Sequence, residues 1–461
     1  METELEQRPT PKKTNGKPSP GARLGRQAMS ASLALLGRFS SSPLVHRLGL
    51  YEPAQKLTRG AVREGLQAGA KLASAFKSNG KSNGEATRLA RPTPRKLFDL
   101  DPTDEQQMIR DVAQRFAREV LEPAAAKADT DGAPPEGFES QLADLALGPM
   151  SVPEALGGAA TETSTVMGTL VAEDLAHGDP GLALAALAPI GVAHALSRWG
   201  SAEQQAKYLP AFAGETPPPA ALAVSEPRPL FDPNALSTRV TLRAGELRLY
   251  GEKSLVPLAT SAELMLVAAE LVGGRPCAVL VERNAAGVSI EADPALGARA
   301  AGLGRVRFDG VRLPTGALLG GAPDAVDYAE LVDRSRIDTA ALAVGAAQAV
   351  LDYVVPYVND RKAFGEPISH RQAVAFMVSN LAIEVESMRL VTWRAAARAE
   401  HGLDFHREAY LARVLTQEKG MEVATNGVQL LGGHGYIKEH PVERWYRDLM
   451  TLSVLEGGVL V

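Results

Sequence analysis

Residues 264–282, with the sequence LMLVAAELVGGRPCAVLVE, decide the fold class. Two apolar runs of strand length, Leu264–Glu270 and Cys277–Glu282, flank Gly273 and Gly274, which favour a tight turn. Four similar runs, each bounded by Gly, Asn, Asp or Pro, lie nearby: Arg239–Arg243, Glu246–Gly251, Val288–Glu291 and Arg305–Phe308. Short strands at this spacing predict a central domain built from β-strands.

Helical patterns lie on both sides of these strands. Thr103 and Gln106 form a capping-box pattern, and the apolar residues after it recur at helical spacing as far as Pro123, where we expect the helix to end. Seven further helices are predicted: Glu139–Leu147, Thr163–Ala176, Gly181–Trp199, Ala202–Phe212, Ala340–Val355, Ser369–Glu400 and Tyr410–Leu431. The α–β–α order predicts a mostly α fold with a central β domain.

We divide this body into three predicted domains: a helical N-terminal domain over 99–218, a β-sandwich or barrel over 219–327 and a helical bundle over 328–461. With 45% apolar and 22% charged residues, the chain has the composition of a globular protein. Its single cysteine, Cys277, excludes an internal disulfide and sites built on several Cys ligands. The eight His residues show no H-x-x-x-H spacing, so no metal site is predicted.

The first 98 residues differ sharply from the rest. They contain 18 basic and 6 acidic residues, whereas the whole chain has a net charge of −5. We expect a partly disordered extension with short helices, which is either a solvated tail docked on the acidic body or an arm that contacts anionic membranes. Glu2, Glu4 and Glu6 argue against a mitochondrial transit peptide. We expect a cytoplasmic protein, with peripheral membrane contact or a mitochondrial location left open, and no nucleic-acid partner.

The longest apolar stretch, Leu182–Ala193, is interrupted by Pro189. It is shorter than the roughly 20 residues that a membrane-spanning helix needs, so no span is predicted there.

Glu456 is the candidate base. It lies in the apolar tail Leu452–Val461, and apolar surroundings would raise its pKa towards the range useful for proton abstraction. The alternative is a carboxylate exposed at a frayed terminus.

Three other segments have competing interpretations. Arg361–Gly365 is either a phosphate clamp or a helix C-terminus capped by Gly365. Ser369 and Gln372 fit a capping box. Residues 429–435 are Gly-rich but match neither common phosphate-binding motif, and a helix stop explains them equally well.

Taken together, residues 97–458 resemble the acyl-CoA dehydrogenase family. The resemblance rests on the ordered occurrence of seven segments: Ala223-Val-Ser-Glu-Pro227, Asp333-Arg-Ser-Arg336, Asp360-Arg-Lys-Ala-Phe-Gly365, Gln372, Gln429-Leu-Leu-Gly-Gly433, Arg447-Asp448 and Leu455-Glu-Gly457. It implies a helical domain, a central β domain and a C-terminal four-helix bundle, with FAD bound between the β domain and the bundle. It also implies a homodimer or homotetramer.

The resemblance assigns roles to individual residues. Glu456 would be the catalytic base, and Asp333 and Arg336 would lie near the thioester and the CoA arm of the substrate. Eight residues would contact FAD: Val224 and Ser225 at the flavin ring, Arg361, Phe364 and Gln372 at the pyrophosphate and adenosine, and Gln429, Gly432 and Gly433 across the dimer interface. The implied reaction is conversion of an acyl-CoA to a trans-2-enoyl-CoA in fatty acid β-oxidation, with electrons passed to an electron-transferring flavoprotein.

The sequence departs from the family pattern around the implied flavin. Arg228-Pro-Leu-Phe-Asp232 replaces a Gly-rich loop, and we expect Arg228 and Phe231 to narrow the pocket. Leu255 and Pro257 replace a Trp and a Thr, and Gly458 replaces another Thr. The chain stops at Val461, where relatives continue into another helix, so either the sequence is short or the bundle lacks its last element. Two alternatives therefore stay open: a catalytically impaired scaffold that binds acyl-CoA or a partner, and an acyl-CoA oxidase-like enzyme.

Overall fold

The structure is a computed structural model that describes residues 101–160, 163–243, 245–271 and 273–457. The predictions for residues 1–98 and for Gly458 lie outside the described residues.

Helices form the first part of the described chain. They are α1 (Asp104–Phe116), α2 (Glu122–Asp131), α3 (Phe138–Leu142), α4 (Leu147–Ser151), α5 (Thr165–Gly178), α6 (Pro180–Trp199) and α7 (Ala202–Phe212). The capping box at Thr103 and Gln106 is confirmed. The predicted stop at Pro123 is wrong, because a π-helical turn over Ala117–Leu121 leads directly into α2. Pro123 lies in the first turn of α2, where its missing N–H is tolerated.

The middle of the chain forms one seven-stranded sheet. Its strands are β1 (Ala220–Ala223), β2 (Arg239–Arg243), β3 (Glu246–Val256), β4 (Leu264–Leu271), β5 (Arg275–Glu282), β6 (Val288–Ala292) and β7 (Gly304–Pro314). The order is β1-β4-β2-β3-β7-β6, and β5 pairs with β4. β1 and the first two residues of β2 run parallel to β4, and the other pairs are antiparallel.

Six of these strands were predicted, but β3 and β7 are longer than expected. Gly251 was taken as a strand end, yet it lies inside β3 with a positive φ of 139°, and β7 continues past its predicted end at Phe308 through Gly310, whose φ is 65°. A Cβ at Gly251 would lie 2.6 Å from the Cα of Thr238, so the close approach of the backbone at Thr238 requires a glycine there. The four-residue strand β1 was not predicted.

The last part of the chain is helical again. It contains α8 (Tyr328–Asp360), a hairpin of β8 (Lys362–Ala363) and β9 (Glu366–Pro367), then α9 (Gln372–Glu400), α10 (His406–Leu431) and α11 (Val442–Leu452). The order of helices, strands and helices confirms the predicted fold class. Two of the helices, α6 and α8, are long and apolar enough to cross a membrane by composition, but most of each is buried within the protein.

Small residues let α8 pack closely on its neighbours. A Cβ at Gly345 would meet the Glu173 carbonyl oxygen of α5 at 2.1 Å, and a Cβ at Gly427 would meet Val350 at 2.5 Å. Both distances are shorter than a van der Waals contact, so these positions accept only glycine. The close packing holds the first half of α8 against α5 and α6, where the cavity described below lies.

The structure of the segment after α8 contradicts two of the interpretations made from the local sequence. Gly365 is not a helix cap: Phe364 and Gly365, with φ values of 57° and 89°, form the two-residue turn of the β8–β9 hairpin. The capping box at Ser369 and Gln372 is also wrong, because α9 has Arg371 at its N-cap and no side-chain cap there.

Candidate active site

A cavity of about 180 Å³ lies where the three parts of the described chain meet. Helices α5 and α6 form one wall and the first half of α8 forms another. The ends of β1 and β3 and residues 455–456 complete it. Its lining includes five residues that the sequence pointed to: Val224, Ser225, Leu255, Pro257 and Glu456.

Glu456 is buried, with 8% of its surface exposed, so the alternative of an exposed terminal carboxylate is wrong. Two hydroxyl groups of α8 donate to it. Ser335 Oγ lies 2.7 Å from Oε1, and Thr339 Oγ1 lies 3.1 and 3.0 Å from the two carboxylate oxygens. Ser335 and Thr339 are one helical turn apart and therefore face the same side. The sequence predicted apolar surroundings, whereas the immediate neighbours of the carboxylate are these hydrogen-bond donors.

Arg413 of α10 holds the backbone around Glu456. Its guanidinium donates to the carbonyls of Leu452 at 2.8 Å and Gly457 at 3.3 Å, and also to that of Leu455. Burial lowers the pKa of Arg413 to about 10, and the Glu456 charge opposes that shift. Glu456 itself has φ of 51°, a left-handed conformation that a side chain rarely adopts. We infer that Arg413 is a positioning residue, and the sequence alone did not indicate it.

A buried ion pair between Lys253 and Glu226 holds the segment of residues 224–226 in place. Lys253 Nζ donates to Glu226 Oε1 at 3.1 Å and to the Val224 carbonyl at 2.8 Å. Burial lowers the pKa of Lys253 to about 8, and Glu226 opposes that shift. Ser225 Oγ accepts a hydrogen bond from the Glu456 backbone N–H at 3.3 Å. The ion pair thus positions Ser225 against the backbone of the candidate base.

Two expected intrusions into the cavity do not occur. Arg228 stacks on Phe231 at 5.5 Å, donates to the carbonyls of Asp232 and Ala235, and does not line the cavity. Phe231 does not line it either, because it is buried in the apolar core that α6, α7 and the start of α8 share with the sheet. The prediction that Arg228 and Phe231 narrow the pocket is therefore wrong.

Asp333 and Arg336, the predicted substrate-side pair, lie together but outside the cavity lining. Their charged groups are 3.3 Å apart, and Asp333 also accepts from His406 Nδ1 at 2.6 Å. Burial raises the pKa of Asp333, while His406 and Arg336 oppose that shift. Their neighbour Arg334 lines the cavity instead. This part of the prediction stays untested.

Most of the other predicted cofactor residues gather at the far end of α8. A pocket of about 940 Å³ is lined by Arg361, Phe364, Gln429, Gly432 and Gly433, together with other residues of the bundle. Phe364 is 97% exposed. At about 1.5 Å per residue, Leu342 and Tyr357, the nearest lining residues of the two spaces, lie about 22 Å apart along α8, and Thr339 beside Glu456 lies about 33 Å from Arg361.

Gln372 does not line the far pocket, although its neighbour Arg371 does. The Arg371 guanidinium lies 5.8 Å from the centre of the Phe364 ring. Among the described residues, no group of three or more His, Cys, Asp or Glu side chains is placed to hold a metal ion.

Three family profiles match the chain in sequence order. They are the acyl-CoA dehydrogenase N-terminal domain over residues 103–216, the middle domain over 221–311 and the C-terminal domain over 328–458. The chain belongs to the acyl-CoA dehydrogenase family. The family resemblance on which the sequence analysis relied is thereby confirmed.

Individual relatives agree with this assignment. The chain is 30% identical over 367 residues to the probable acyl-CoA dehydrogenase YngJ of Bacillus subtilis, covering 78% of this chain and 96% of that protein. It is 31% identical over 359 residues to the mitochondrial short-chain specific acyl-CoA dehydrogenase of Bos taurus, covering 76% and 86%. The structure of butyryl-CoA dehydrogenase from Megasphaera elsdenii superposes with a TM-score of 0.72 at 26% identity, covering 79% of this chain and 97% of that one.

Sequence reasoning missed three residues that surround the candidate base of this acyl-CoA dehydrogenase homologue: Ser335, Thr339 and Arg413. The spacing of Ser335 and Thr339, which is one helical turn, was the signal that could have linked these two. Which side of α8 faces the cavity depends on packing against α5 and α6, and that packing is a tertiary property.

Proposed function

We propose that this protein is a flavin-dependent acyl-CoA dehydrogenase that converts an acyl-CoA thioester to a trans-2-enoyl-CoA. In this proposal Glu456 removes the α-proton. The observation that carries it is the position of Glu456, buried at a cavity and held by the hydroxyls of Ser335 and Thr339. Family membership supports the general dehydrogenation.

The surroundings of Glu456 suit a base. The hydroxyls of Ser335 and Thr339 donate to its oxygens and orient the carboxylate before substrate binds. The cavity walls exclude bulk water, which strengthens the interaction between the carboxylate and a proton on the α carbon. Ser225 and Arg413 hold the backbone on either side, so the carboxylate oxygen keeps one position during proton transfer.

The residues present fit FAD. Val224, Ser225, Leu255 and Pro257 would hold the ring system at the cavity, and the Arg361 guanidinium beside Gly432 and Gly433 offers donors that suit a pyrophosphate. A Cβ built on Gly432 or Gly433 meets nothing within 4 Å, so the pocket is open in front of both. The chemistry that bound FAD supplies is acceptance of a hydride from the β carbon.

We infer a homodimer, or a homotetramer made of two such dimers, from the distance between the two sites. About 33 Å along α8 lies between Thr339, at the candidate base, and Arg361, which is longer than we expect one dinucleotide to span within a single chain. We infer that Arg361, Phe364, Gln372, Gln429, Gly432 and Gly433 serve the FAD of a partner subunit. The electron acceptor in this proposal is an electron-transferring flavoprotein, as the family resemblance implies.

The test is anaerobic titration of the purified protein with acyl-CoA thioesters of graded chain length. We expect a yellow protein whose flavin absorbance falls, with trans-2-enoyl-CoA as the product. Glu456→Gln should keep its flavin and lose about 10²- to 10⁴-fold in the rate of bleaching, because the proton acceptor is gone. The control is Glu408→Gln, which changes an equally buried carboxylate away from the cavity. Unchanged bleaching by Glu456→Gln would refute its role.

One observation favours the impaired scaffold as a second candidate. Leu255 and Pro257, which depart from the family pattern, both line the cavity. A colourless, helical protein that still binds acyl-CoA would support this candidate over the dehydrogenase. Hydrogen peroxide formed without an added electron acceptor would instead indicate an oxidase-like enzyme.

A further inference from the structure

The cavity contains a second group of polar side chains besides those at Glu456. His194 and Arg198 lie one turn apart on α6, and Arg334 and Asp338 lie one turn apart on α8. All four line the cavity, and every other α6 residue in its lining is apolar or Gly. We name these four residues the polar cluster.

The two arginines of the polar cluster already have partners. Arg198 Nη2 lies 2.7 Å from Glu330 Oε1, and Arg334 Nε donates to the same oxygen at 2.9 Å. Arg334 Nη1 also donates to Thr165 Oγ1 at 2.9 Å, and its guanidinium stacks on Phe405 at 5.4 Å. Both guanidinium groups are therefore held in place by the protein itself.

His194 and Asp338 differ from the arginines. Neither makes a hydrogen bond or ion pair with any of the described residues. Asp338 is exposed, but the space that it faces is the cavity, and protein surrounds that space. Water can satisfy both groups in the open cavity, so a ligand that displaces this water has to offer them hydrogen-bond partners.

The protonation states at neutral pH follow from the surroundings. Burial lowers the pKa of His194 to about 4, and the Arg334 charge adds to that shift, so the imidazole is neutral. Although Asp338 is exposed to the cavity, the protein around that space desolvates it and raises its pKa to about 7, with Arg334 opposing and Glu456 adding to the shift. The cavity thus offers one carboxyl acceptor and one neutral imidazole, which can donate through one ring nitrogen.

Charge decides which ligand group suits this pair. An ammonium group would lie close to Arg198 and Arg334, which share a single carboxylate partner, and would be repelled. A carboxylate would face Asp338. A hydroxyl group is uncharged, and it can donate to Asp338 while it accepts from the His194 N–H. It satisfies both side chains without a charge conflict.

We propose that the cavity selects acyl-CoA thioesters whose acyl chain carries a hydroxyl group, bound between Asp338 and His194. Asp338, Thr339 and Glu456 line the same cavity, so the hydroxyl-binding pair and the candidate base face one space. The hydroxyl takes no part in the reaction, and only the α-proton and the β-hydride leave the substrate. This inference rests on the proposed function and names its substrate class.

The test compares four five-carbon thioesters that differ only at C5: pentanoyl-CoA, 5-hydroxypentanoyl-CoA, 5-aminopentanoyl-CoA and glutaryl-CoA. We expect kcat/KM to be highest for the 5-hydroxy compound, by about tenfold or more over pentanoyl-CoA, because only a hydroxyl satisfies both polar groups. A preference for any of the other three compounds, or equal values, would overturn the proposal.

Variants show whether Asp338 and His194 cause the preference. Asp338→Leu and His194→Leu should each reverse it in favour of pentanoyl-CoA, while Asp338→Asn, which keeps an acceptor, should retain much of it. The control is Asp352→Leu, an exposed position on the same helix outside the cavity. Flavin absorbance reports folding of each variant. A preference that survives all three cavity substitutions would contradict the assignment.

A binding measurement separates this inference from the proposed function. Calorimetric titration of the Glu456→Gln variant with the four thioesters measures the cavity without the chemistry. If the hydroxy compound binds most tightly but the wild type never bleaches, the proposed function fails and the selection stands. If the wild type oxidises all four and neither assay shows a hydroxyl preference, the selection fails and the proposed function stands.

Discussion

The two ends of α8 carry two sites of opposite character. At its first half, Ser335 and Thr339 hold a buried carboxylate in a small cavity. Just beyond its C-terminal end, Arg361 and the exposed Phe364 line a large pocket that is open to the surface. A base needs fixed neighbours and little water, whereas a site that another subunit's cofactor enters needs accessible groups. The same helix supplies both because its 33 residues extend from the cavity to the far end of the bundle.

The largest expected effect tests whether the buried cavity end depends on its ion pair. Lys253→Met leaves Glu226 buried without its cation, which should lower the free energy of unfolding by about 3–5 kcal/mol, measured by chemical denaturation. The double variant Lys253→Met/Glu226→Leu removes both charges and should recover most of that loss. If the single variant is as stable as the wild type, the ion pair does not hold the 224–226 segment.

The next effect tests the hydroxyl groups at the base. Thr339→Val removes a hydrogen bond to the Glu456 carboxylate, and a hydrogen bond to a charged group is worth about 1.5–3 kcal/mol. We expect the bleaching rate to fall about 10- to 100-fold with flavin retained. Thr425→Val, an exposed threonine of α10, serves as the control. Equal rates for the two variants would mean that Glu456 does not depend on Thr339.

The open end should behave in the opposite way. Phe364→Ala should change the free energy of unfolding by less than about 0.5 kcal/mol, because the ring is 97% exposed. It should nevertheless weaken flavin retention, measured as the absorbance left after dialysis. Phe376→Ala, another exposed aromatic, should leave flavin retention unchanged. Loss of stability without loss of flavin would contradict the contrast between the two ends.

The smallest effect is a pH dependence of stability at the cavity. The folded pKa of Asp338 is about 7, above its ordinary value of 3.8, so its contribution to stability is present at low pH and is lost as pH rises through 7. Arg334, Glu456 and His194 face the same space. The Asp338→Asn side chain cannot ionise. The melting temperature of this variant should therefore increase relative to that of the wild type between pH 5 and pH 8. A constant difference would show that Asp338 titrates normally.

Much of the fold was predictable because its signals are local. The strand runs and the capping box at Thr103 depend on neighbouring residues, and both were found. The errors came where tertiary contacts override local rules. Gly251 looked like a strand end but lies inside β3, where the adjacent residue Thr238 leaves no space for a Cβ. Pro123 looked like a helix stop, but the helix continues through a π-helical turn.

The candidate site was only partly predictable. Glu456 was identified from the family resemblance, but the hydroxyls of Ser335 and Thr339 that hold it were not. Asp338 was missed for the same reason, since nothing in the order of residues along α8 tells which of its sides faces a cavity.

The sequence by itself determined the order of helices and strands, the family and the identity of the candidate base, because each depends on residue type and spacing along the chain. Only the tertiary structure decided which side chains surround that base and that the predicted FAD residues form two groups at opposite ends of α8. A side chain's neighbours are set by how helices and strands pack, and close packing is decided by contacts between residues far apart in sequence.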